Sequence, residues 1–232
     1  MTVLNDLFDY GLKIYQEEEF FKFSLDSLLL AEFVKYRSHD KILDLCTGNA
    51  PVPLILSQKD STLNITGIEL QENIYSLGVK SVHENEMQDR ITLVNCDAKS
   101  YECGEKFDIV TCNPPYFKDK GTSLKNLNET KRIARHEVAI TLEDIVEIAK
   151  KNLKETGTLY IVHRADRLLE VINVLQNNKF GIRDIAFVFT KKNKKAEFFL
   201  IEASKYKKSD SKIYEICTED LTTYQRIFES GR

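Results

Sequence analysis

Lys41-Ile42-Leu43-Asp44-Leu45-Cys46-Thr47-Gly48-Asn49-Ala50 is the stretch that decides the fold. An apolar strand, Lys41–Leu45, runs into a turn containing Gly48, and a helical stretch over Val52–Ser57 follows. The same alternation continues downstream. Asn64–Glu69 reads as a strand before a helix from about Asn73 to Met87. Ile91–Cys96, Phe107–Cys112 and Leu159–His163 read as strands, and Leu142–Leu153 and Arg167–Asn177 as helices, with Gly157 just past the first of these. Upstream, Leu12–Tyr15 and Phe20–Phe23 read as short strands. Ser24 is placed to cap a helix over Leu25–Tyr36 that buries Leu28, Leu29, Ala31 and Phe33. Strands alternating with helices predict a doubly wound, mostly parallel α/β sheet. Ile185–Thr190 and Glu197–Ala203 are joined too tightly for a parallel crossover, so the last strand is expected to be antiparallel.

A chain of 232 residues fits one such domain, with residues 1–36 as an N-terminal hairpin-and-helix extension and 37–232 as the main domain. No apolar run reaches membrane-spanning length. Met1–Tyr10 is acidic and lacks the basic and apolar regions of a signal peptide, so a cytoplasmic location is expected. The five cysteines (Cys46, Cys96, Cys103, Cys112, Cys217) form no C-x-x-C pair. They read as buried thiols of a reducing compartment, with neither disulfide nor metal expected. The net charge of −3 does not announce a polyanionic partner, but the charge is unevenly spread. Residues 179–212 hold ten Lys/Arg against four acids, and residues 1–35 hold three against seven. A basic C-terminal third suits nucleic acid on one face, or simply a solvated surface.

Three consecutive strands end in acids: Asp44, Glu69 and Asp97. Ligands of doubly wound sheets sit outside the carboxyl ends of the strands. There Gly48 admits a close backbone approach, and Thr47 and Asn49 flank it. Asp44 can accept from an ammonium group or organise the turn. Glu69 is placed for a ribose diol, and Asp97 for an adenine amino group. Three carboxylates make a poor pocket for pyrophosphate, and no G-x-G-x-x-G is present. The set suits S-adenosylmethionine better than a dinucleotide.

Phe107–Cys112 ends in Asn113-Pro114-Pro115-Tyr116. The prolines fix a rigid strand end. The Asn113 side-chain oxygen and the Pro114 carbonyl can each accept a hydrogen from a planar NH2 group, and Tyr116 can stack on the plane that bears it. Methyl transfer to such a nitrogen is one of the few reactions that need this set; the alternative is a proline turn closing the strand with Asn113 as its polar cap, and Phe117 offers a further ring face or is a core aromatic.

These segments resemble a class I S-adenosylmethionine-dependent methyltransferase from about Phe23 to Ala203. The resemblance implies a Rossmann-like, seven-stranded sheet in the order 3-2-1-4-5-7-6. Four segments are more narrowly similar to the bacterial enzymes that methylate N6 of the adenine just 3′ of the anticodon in a valine tRNA. They are Phe23-Ser24-Leu25-Asp26-Ser27-Leu28-Leu29-Leu30-Ala31, Cys112–Phe117, Arg132-Ile133-Ala134-Arg135-His136-Glu137 and Val162-His163-Arg164. The similarity implies that Ser24 to Leu30, Asp26 included, pack under the cofactor, and that Arg132 to Glu137 lie on the substrate side. Arg132, Arg135 and His136 are thus candidate RNA contacts, together with Lys192 and Lys194 in the Lys191–Lys195 turn if that turn lies on the catalytic face. Two departures stand out. Cys46 and Ala50 occupy positions where the broader class has Gly, and the Cβ of Ala50 is expected to crowd the methionine end of the cofactor. The alternatives are a protein glutamine amide, a guanine amine of ribosomal RNA, or a noncatalytic RNA-binding protein on the same fold.

Overall fold

Every other residue of the central strands faces the same core, as a two-faced sheet requires. Ile42, Ile65, Ile109 and Val162 join one apolar cluster, while Leu43, Val110 and Ile161 join the other. The computed structural model describes residues 2–7, 10–17, 25–115, 140–191, 194–206 and 211–218. Its strands are β1 (Thr2–Leu7), β2 (Leu12–Glu17), β3 (Lys41–Leu45), β4 (Asn64–Glu69), β5 (Ile91–Asn95), β6 (Phe107–Cys112), β7 (Leu153–Arg164), β8 (Gly181–Phe189), β9 (Phe198–Ser204) and β10 (Lys212–Cys217). Its helices are α1 (Leu25–Phe33), α2 (Pro51–Lys59), α3 (Glu72–Glu84), α4 (Leu142–Asn152) and α5 (Leu168–Asn177).

The main sheet has the order β10-β8-β9-β7-β6-β3-β4-β5. Only β9 runs against its neighbours. The expected order is therefore present, and β10 adds an eighth strand beside β8, in parallel. Its first four residues are exposed, so it carries little of the apolar signal by which buried strands are read. Tyr214 donates to Asp184 Oδ2 across this edge at 3.2 Å.

The N-terminal hairpin also differs from expectation. β2 pairs with Thr2–Leu7, a strand that was not expected; Phe20–Phe23 lies outside the described residues together with Ser24. β1 was missed because its apolar and polar residues do not alternate by face, with Leu4 exposed beside Thr2 and Asp6, and only Leu7 is fully buried. The hairpin is tied to α3: Asn85 accepts from Lys13 N–H at 2.9 Å, and Ser81 Oγ accepts from Tyr15 N–H at 2.9 Å.

α1 ends at Phe33, three residues before the expected boundary, and buries every residue from Asp26 on. It is enclosed by α2, β7 and β9, so a one-sided pattern was too modest. Helices α1 and α2 share one face of the sheet with the hairpin core, and α4 and α5 cover the other. α4 begins with a capping box between Thr141 and Asp144, which satisfies two otherwise unpaired N–H groups. All five cysteines are free thiols, but only Cys112 is fully buried. Cys46 and Cys96 lie in turns at the carboxyl edge, where the sheet no longer covers them.

Candidate active site

Residues 46, 48 and 50 build the turn after β3. All three have positive φ: 56° at Cys46, 61° at Gly48 and 71° at Ala50. A glycine-like path is thus followed with only one glycine, and the two side-chain-bearing residues carry the strain of the left-handed region. Ala50 precedes α2 and is fully buried within the apolar core. Its methyl therefore packs inward, and the cost lies in its backbone where crowding of the cofactor was expected. A Cβ built on Gly48 would meet nothing within 4 Å, so the surface above this turn is open.

Asp44 is 2 % exposed. Thr47 Oγ1 donates to its Oδ2 at 2.6 Å and Thr111 Oγ1 to its Oδ1 at 2.5 Å. Of its two expected roles, the structure displays turn organisation. Burial pushes its carboxyl up to about 7, against the pull of the two hydroxyls. Gly67, directly across from Asp44 on β4, makes this arrangement fit. A Cβ there would lie 2.7 Å from Thr47 Oγ1. Gly78 on α3 does the same for the next turn, since its Cβ would lie 3.2 Å from the Gly48 carbonyl oxygen.

Glu69 ends β4. Its Oε2 accepts from Gly48 N–H at 3.0 Å and its Oε1 from Gln71 N–H at 2.9 Å. Each oxygen has two lone-pair sites, so the carboxylate can still accept from a diol. Burial raises its pKa, and the backbone donors oppose that rise. Beside it Leu70 is 47 % exposed, an apolar face at the mouth. Asp97 lies two residues past β5 and accepts from Lys99 N–H at 2.9 Å, closing a short helical turn. The strand-end acids thus line one half of the carboxyl edge. Their chemistry fits a nucleoside: acceptors for a diol and an amine, an apolar rest for a base, and an open glycine turn. Asn49 behaves otherwise. Its amide donates to the Tyr15 carbonyl at 2.9 Å, so it ties the turn to the hairpin.

Asn113 follows β6 on the same edge. Leu45 pairs with Cys112, so the Asn113 strand end begins beside the Cys46 turn. Burial and the neighbouring Cys46 thiol push the Cys112 thiol up. Asn113 is half-buried and donates through Nδ2 to Ser27 Oγ at 2.8 Å, while Pro114 is buried. Asp26, beside Ser27 in the first turn of α1, is 3 % exposed and accepts from Ser27 N–H at 3.0 Å. Tyr116, Phe117, Arg132, Arg135, His136 and Lys192 lie outside the described residues.

The turn after β8 lies on this edge too. β8 runs parallel to β7 with β9 between them, and Val188, Phe198 and Arg164 line up across the three strands. The connection holding Lys191, Lys194 and Lys195 therefore projects from the Asn113 side of the sheet. At roughly 4.8 Å per strand, β8 is about 14 Å from β6. Those three lysines are exposed. His163, one residue before Arg164, is buried and stacked on Phe199. Burial, with Arg167 nearby, lowers its pKa to about 4. It is a neutral packing residue at neutral pH.

Gly67, Leu70, Gly78 and Thr111 were not singled out in the sequence as site residues, and Ser27 entered only as part of Ser24 to Leu30, the stretch expected to pack under the cofactor. A glycine inside a strand was the available signal for Gly67. Ser27 and Thr111 carry no local signal, since their partners are distant in the chain. Among the described residues no group of three or more His, Cys, Asp or Glu could hold a metal ion, and no helix is long and apolar enough to cross a membrane.

Comparison with known proteins agrees with this layout. The family model described as "Methyltransferase small domain" matches residues 20–186. A tRNA1(Val) (adenine(37)-N6)-methyltransferase of Aliivibrio fischeri is 29% identical over 187 residues, covering 78% of this chain and 76% of that protein. The protein of the same name from Bacteroides thetaiotaomicron is 32% identical over 146 residues, covering 62% and 60%. Among solved structures, a "predicted O-methyltransferase" of Agrobacterium tumefaciens superposes with a TM-score of 0.65 at 18% identity, over 84% of this chain and 88% of that one. A 16S rRNA N2 methyltransferase of T. thermophilus, in complex with AdoMet and guanosine, gives 0.62 at 18% identity, over 89% and 50%.

Proposed function

The chain belongs to the methyltransferase small-domain family and is an S-adenosylmethionine-dependent methyltransferase, and we propose that its acceptor is the exocyclic N6 of an adenine in tRNA, at position 37 beside the anticodon. The observation that carries this reading is Asn113 at the end of β6, held by Ser27 beside the cofactor turn and followed by two prolines. The names of the similar proteins from A. fischeri and B. thetaiotaomicron supply the tRNA and the position.

When bound, S-adenosylmethionine supplies a methyl group on a positively charged sulfur, a leaving group already activated. What remains for the protein is orientation and exclusion of water. Glu69 would hold the ribose diol, Asp97 the adenine amino group and Leu70 the adenine face, over the open turn at Gly48. An adenine amine is a poor nucleophile because its lone pair is delocalised into the ring. Asn113 Oδ1 and the Pro114 carbonyl would accept its two hydrogens, turning the lone pair toward the methyl group. The same acceptors stabilise charge developing on nitrogen, as fixed dipoles do. Tyr116 would stack on the base, which must first be turned out of the anticodon loop. Lys191, Lys194 and Lys195 on the same edge suit phosphates of the flanking strand, with Arg132, Arg135 and His136 as further candidates.

The experiment is methyl incorporation from labelled S-adenosylmethionine into unmodified total tRNA, followed by nucleoside mass analysis. N6-methyladenosine that is absent with Asn113→Ala is the expected result. Clear cofactor binding without incorporation into RNA would overturn the acceptor and direct attention to protein glutamine and to guanine in ribosomal RNA.

A further inference from the structure

Strand β7 lies directly beside β6 and ends at the same edge, in Arg164. Cys112 pairs with Ile161, so Asn113 is level with Val162, and Arg164 stands two residues farther out on the neighbouring strand. At about 3.3 Å per residue and 4.8 Å per strand, the two backbones are about 8 Å apart. The two side chains also share a face. Tyr160 and Val162 belong to the apolar cluster on the α1 side and Ile161 to the other, so alternation puts Arg164 on the α1 side. Asn113 is on that side too, since it meets Ser27 of α1. By strand position Arg164 is nearer to the amide than the lysines after β8, which start three strands away.

The guanidinium is presented from a fixed backbone. Arg164 N–H donates to His163 Nδ1 at 2.8 Å, and the following N–H, of Ala165, donates to the Glu197 carbonyl at 2.9 Å. His163 is buried against Phe199, and burial keeps its ring neutral at neutral pH, so Nδ1 remains an acceptor. Asp166 orients the head of the side chain. Arg164 Nε donates to Asp166 Oδ1 at 3.2 Å and Nη2 to Oδ2 at 3.0 Å. That fork is the geometry in which a guanidinium takes two oxygens of a phosphate. Both side chains are well exposed, at 47 % and 58 %, and exposed ion pairs hold only weakly. A phosphate can therefore take the place of the carboxylate without rearranging the arginine.

We propose that Arg164 binds a phosphate flanking the acceptor base, exchanging Asp166 for the phosphate oxygens when the nucleic acid docks; this rests on the RNA acceptor proposed above. A base taken out of its stack turns about its own backbone, so the backbone stays outside the strand ends while the base reaches in to Asn113. Arg164 stands farther out on that same side, where the backbone passes. A protein glutamine has no phosphate. The contact thus selects a nucleic acid over an amide side chain that presents the same NH2 group to Asn113.

The test uses the full chain as wild type, Arg164→Ala and Arg164→Lys, with unmodified full-length tRNA assembled by ligation. In two of the tRNAs one phosphate, 5′ or 3′ of the acceptor adenine, is replaced by an uncharged methylphosphonate. Methylation and tRNA affinity are measured for each pairing. Arg164→Ala should bind unsubstituted tRNA about tenfold more weakly, the scale of a lost charge-assisted contact. Its slope of log affinity against log salt should fall by about 0.7–0.9. Arg164→Lys should keep the slope and recover only part of the affinity, because it keeps the charge but not the fork. One of the two methylphosphonates should weaken wild type by the same factor as Arg164→Ala and weaken Arg164→Ala no further. S-adenosylmethionine affinity should stay within about twofold in both variants. Equal penalties from each methylphosphonate in wild type and Arg164→Ala overturn the contact, as does an unchanged salt slope; N6-methyladenosine formed by wild type then leaves the tRNA reading standing. A wild type that binds the cofactor but methylates no tRNA overturns that reading instead, and the role of Arg164 with it.

Discussion

The two halves of the carboxyl edge are built on opposite principles. On the β3-β4-β5 side the polar groups are already engaged with one another. Asp44 is locked by Thr47 and Thr111, Glu69 spans Gly48 and Gln71, and Asp97 closes its own turn. On the β6-β7-β9-β8 side, among the described residues, an anchored amide, Asn113, shares the edge with exposed lysines three strands away. The first half is acidic and prewired, which suits a small ligand of constant shape. The second is basic and open, which suits a large anionic one that brings its own structure. Perturbing one half should therefore spare the function of the other.

The largest separation is expected at Asn113. Asn113→Ala should lower single-turnover methylation by roughly 10²–10³-fold, the scale for removing one preorganised polar group. S-adenosylmethionine affinity should change by no more than a few-fold. A parallel collapse of cofactor binding, measured by calorimetry, would erase the division between the halves. The converse change is Glu69→Gln, which keeps the shape but removes the charge that accepts from Gly48 and Gln71 and that is proposed to hold the ribose. Charge-assisted hydrogen bonds contribute about 1.5–3 kcal/mol, so cofactor affinity should fall by roughly 10- to 100-fold with tRNA affinity intact. A fall in tRNA affinity of the same size would break the comparison from the other side.

How much of this was legible depended on whether a residue's partner is near in the chain. The central strands, the three strand-end acids and Asn113 all announce themselves locally, through an apolar run that stops at a polar residue, whereas the strand order came from the resemblance. Ser27 and Thr111 do not, because their partners lie 86 and 67 residues away. Asn49 sits in the right turn, yet its side chain serves Tyr15, and position alone does not reveal where an amide points. β1 and β10 were missed for another reason. Each lies at an edge with mostly exposed side chains, so the alternation that marks a half-buried strand is faint.

The open half is tested by charge. The triple variant Lys191→Ala/Lys194→Ala/Lys195→Ala should weaken tRNA binding about tenfold near physiological salt. The slope of log affinity against log salt should fall by about 2, since each phosphate contact contributes about 0.7–0.9. An unchanged salt slope would mean that the turn projects past the RNA, and the basic edge would then be only a solvated surface.

A smaller contrast lies in the pH dependence of stability. Asp44 is pushed up to about 7, so the unfolded chain releases its proton first as pH rises from about 4, and stability from this group falls toward pH 7. His163 is lowered to about 4, so the unfolded chain takes a proton first as pH falls below about 6.5, and stability from this group falls toward acid. The two slopes oppose each other between about pH 4 and 6.5. Asp44→Asn should leave stability rising with pH across that window, and His163→Gln should leave it falling, each by at most about 1.4 kcal/mol per pH unit. Urea midpoints at the two ends of the window decide it; a curve of unaltered tilt in Asp44→Asn would mean that this carboxyl ionises as readily folded as unfolded.

The smallest effect concerns the strain within the prewired half. Ala50 holds φ 71° and ψ 34°, a conformation that costs a residue with a Cβ about 1–2 kcal/mol. Ala50→Gly removes that cost but adds backbone freedom to the unfolded chain, about 0.4–1 kcal/mol, and gives up a buried methyl. The net gain should be no more than about 0.5 kcal/mol, with cofactor affinity unchanged because the methyl faces the core and not the open side of the turn. Should the variant instead bind S-adenosylmethionine several-fold more tightly, the methyl would be acting on the ligand after all. The departure from glycine at position 50 would then be a brake on binding, not a strain carried for the sake of the core.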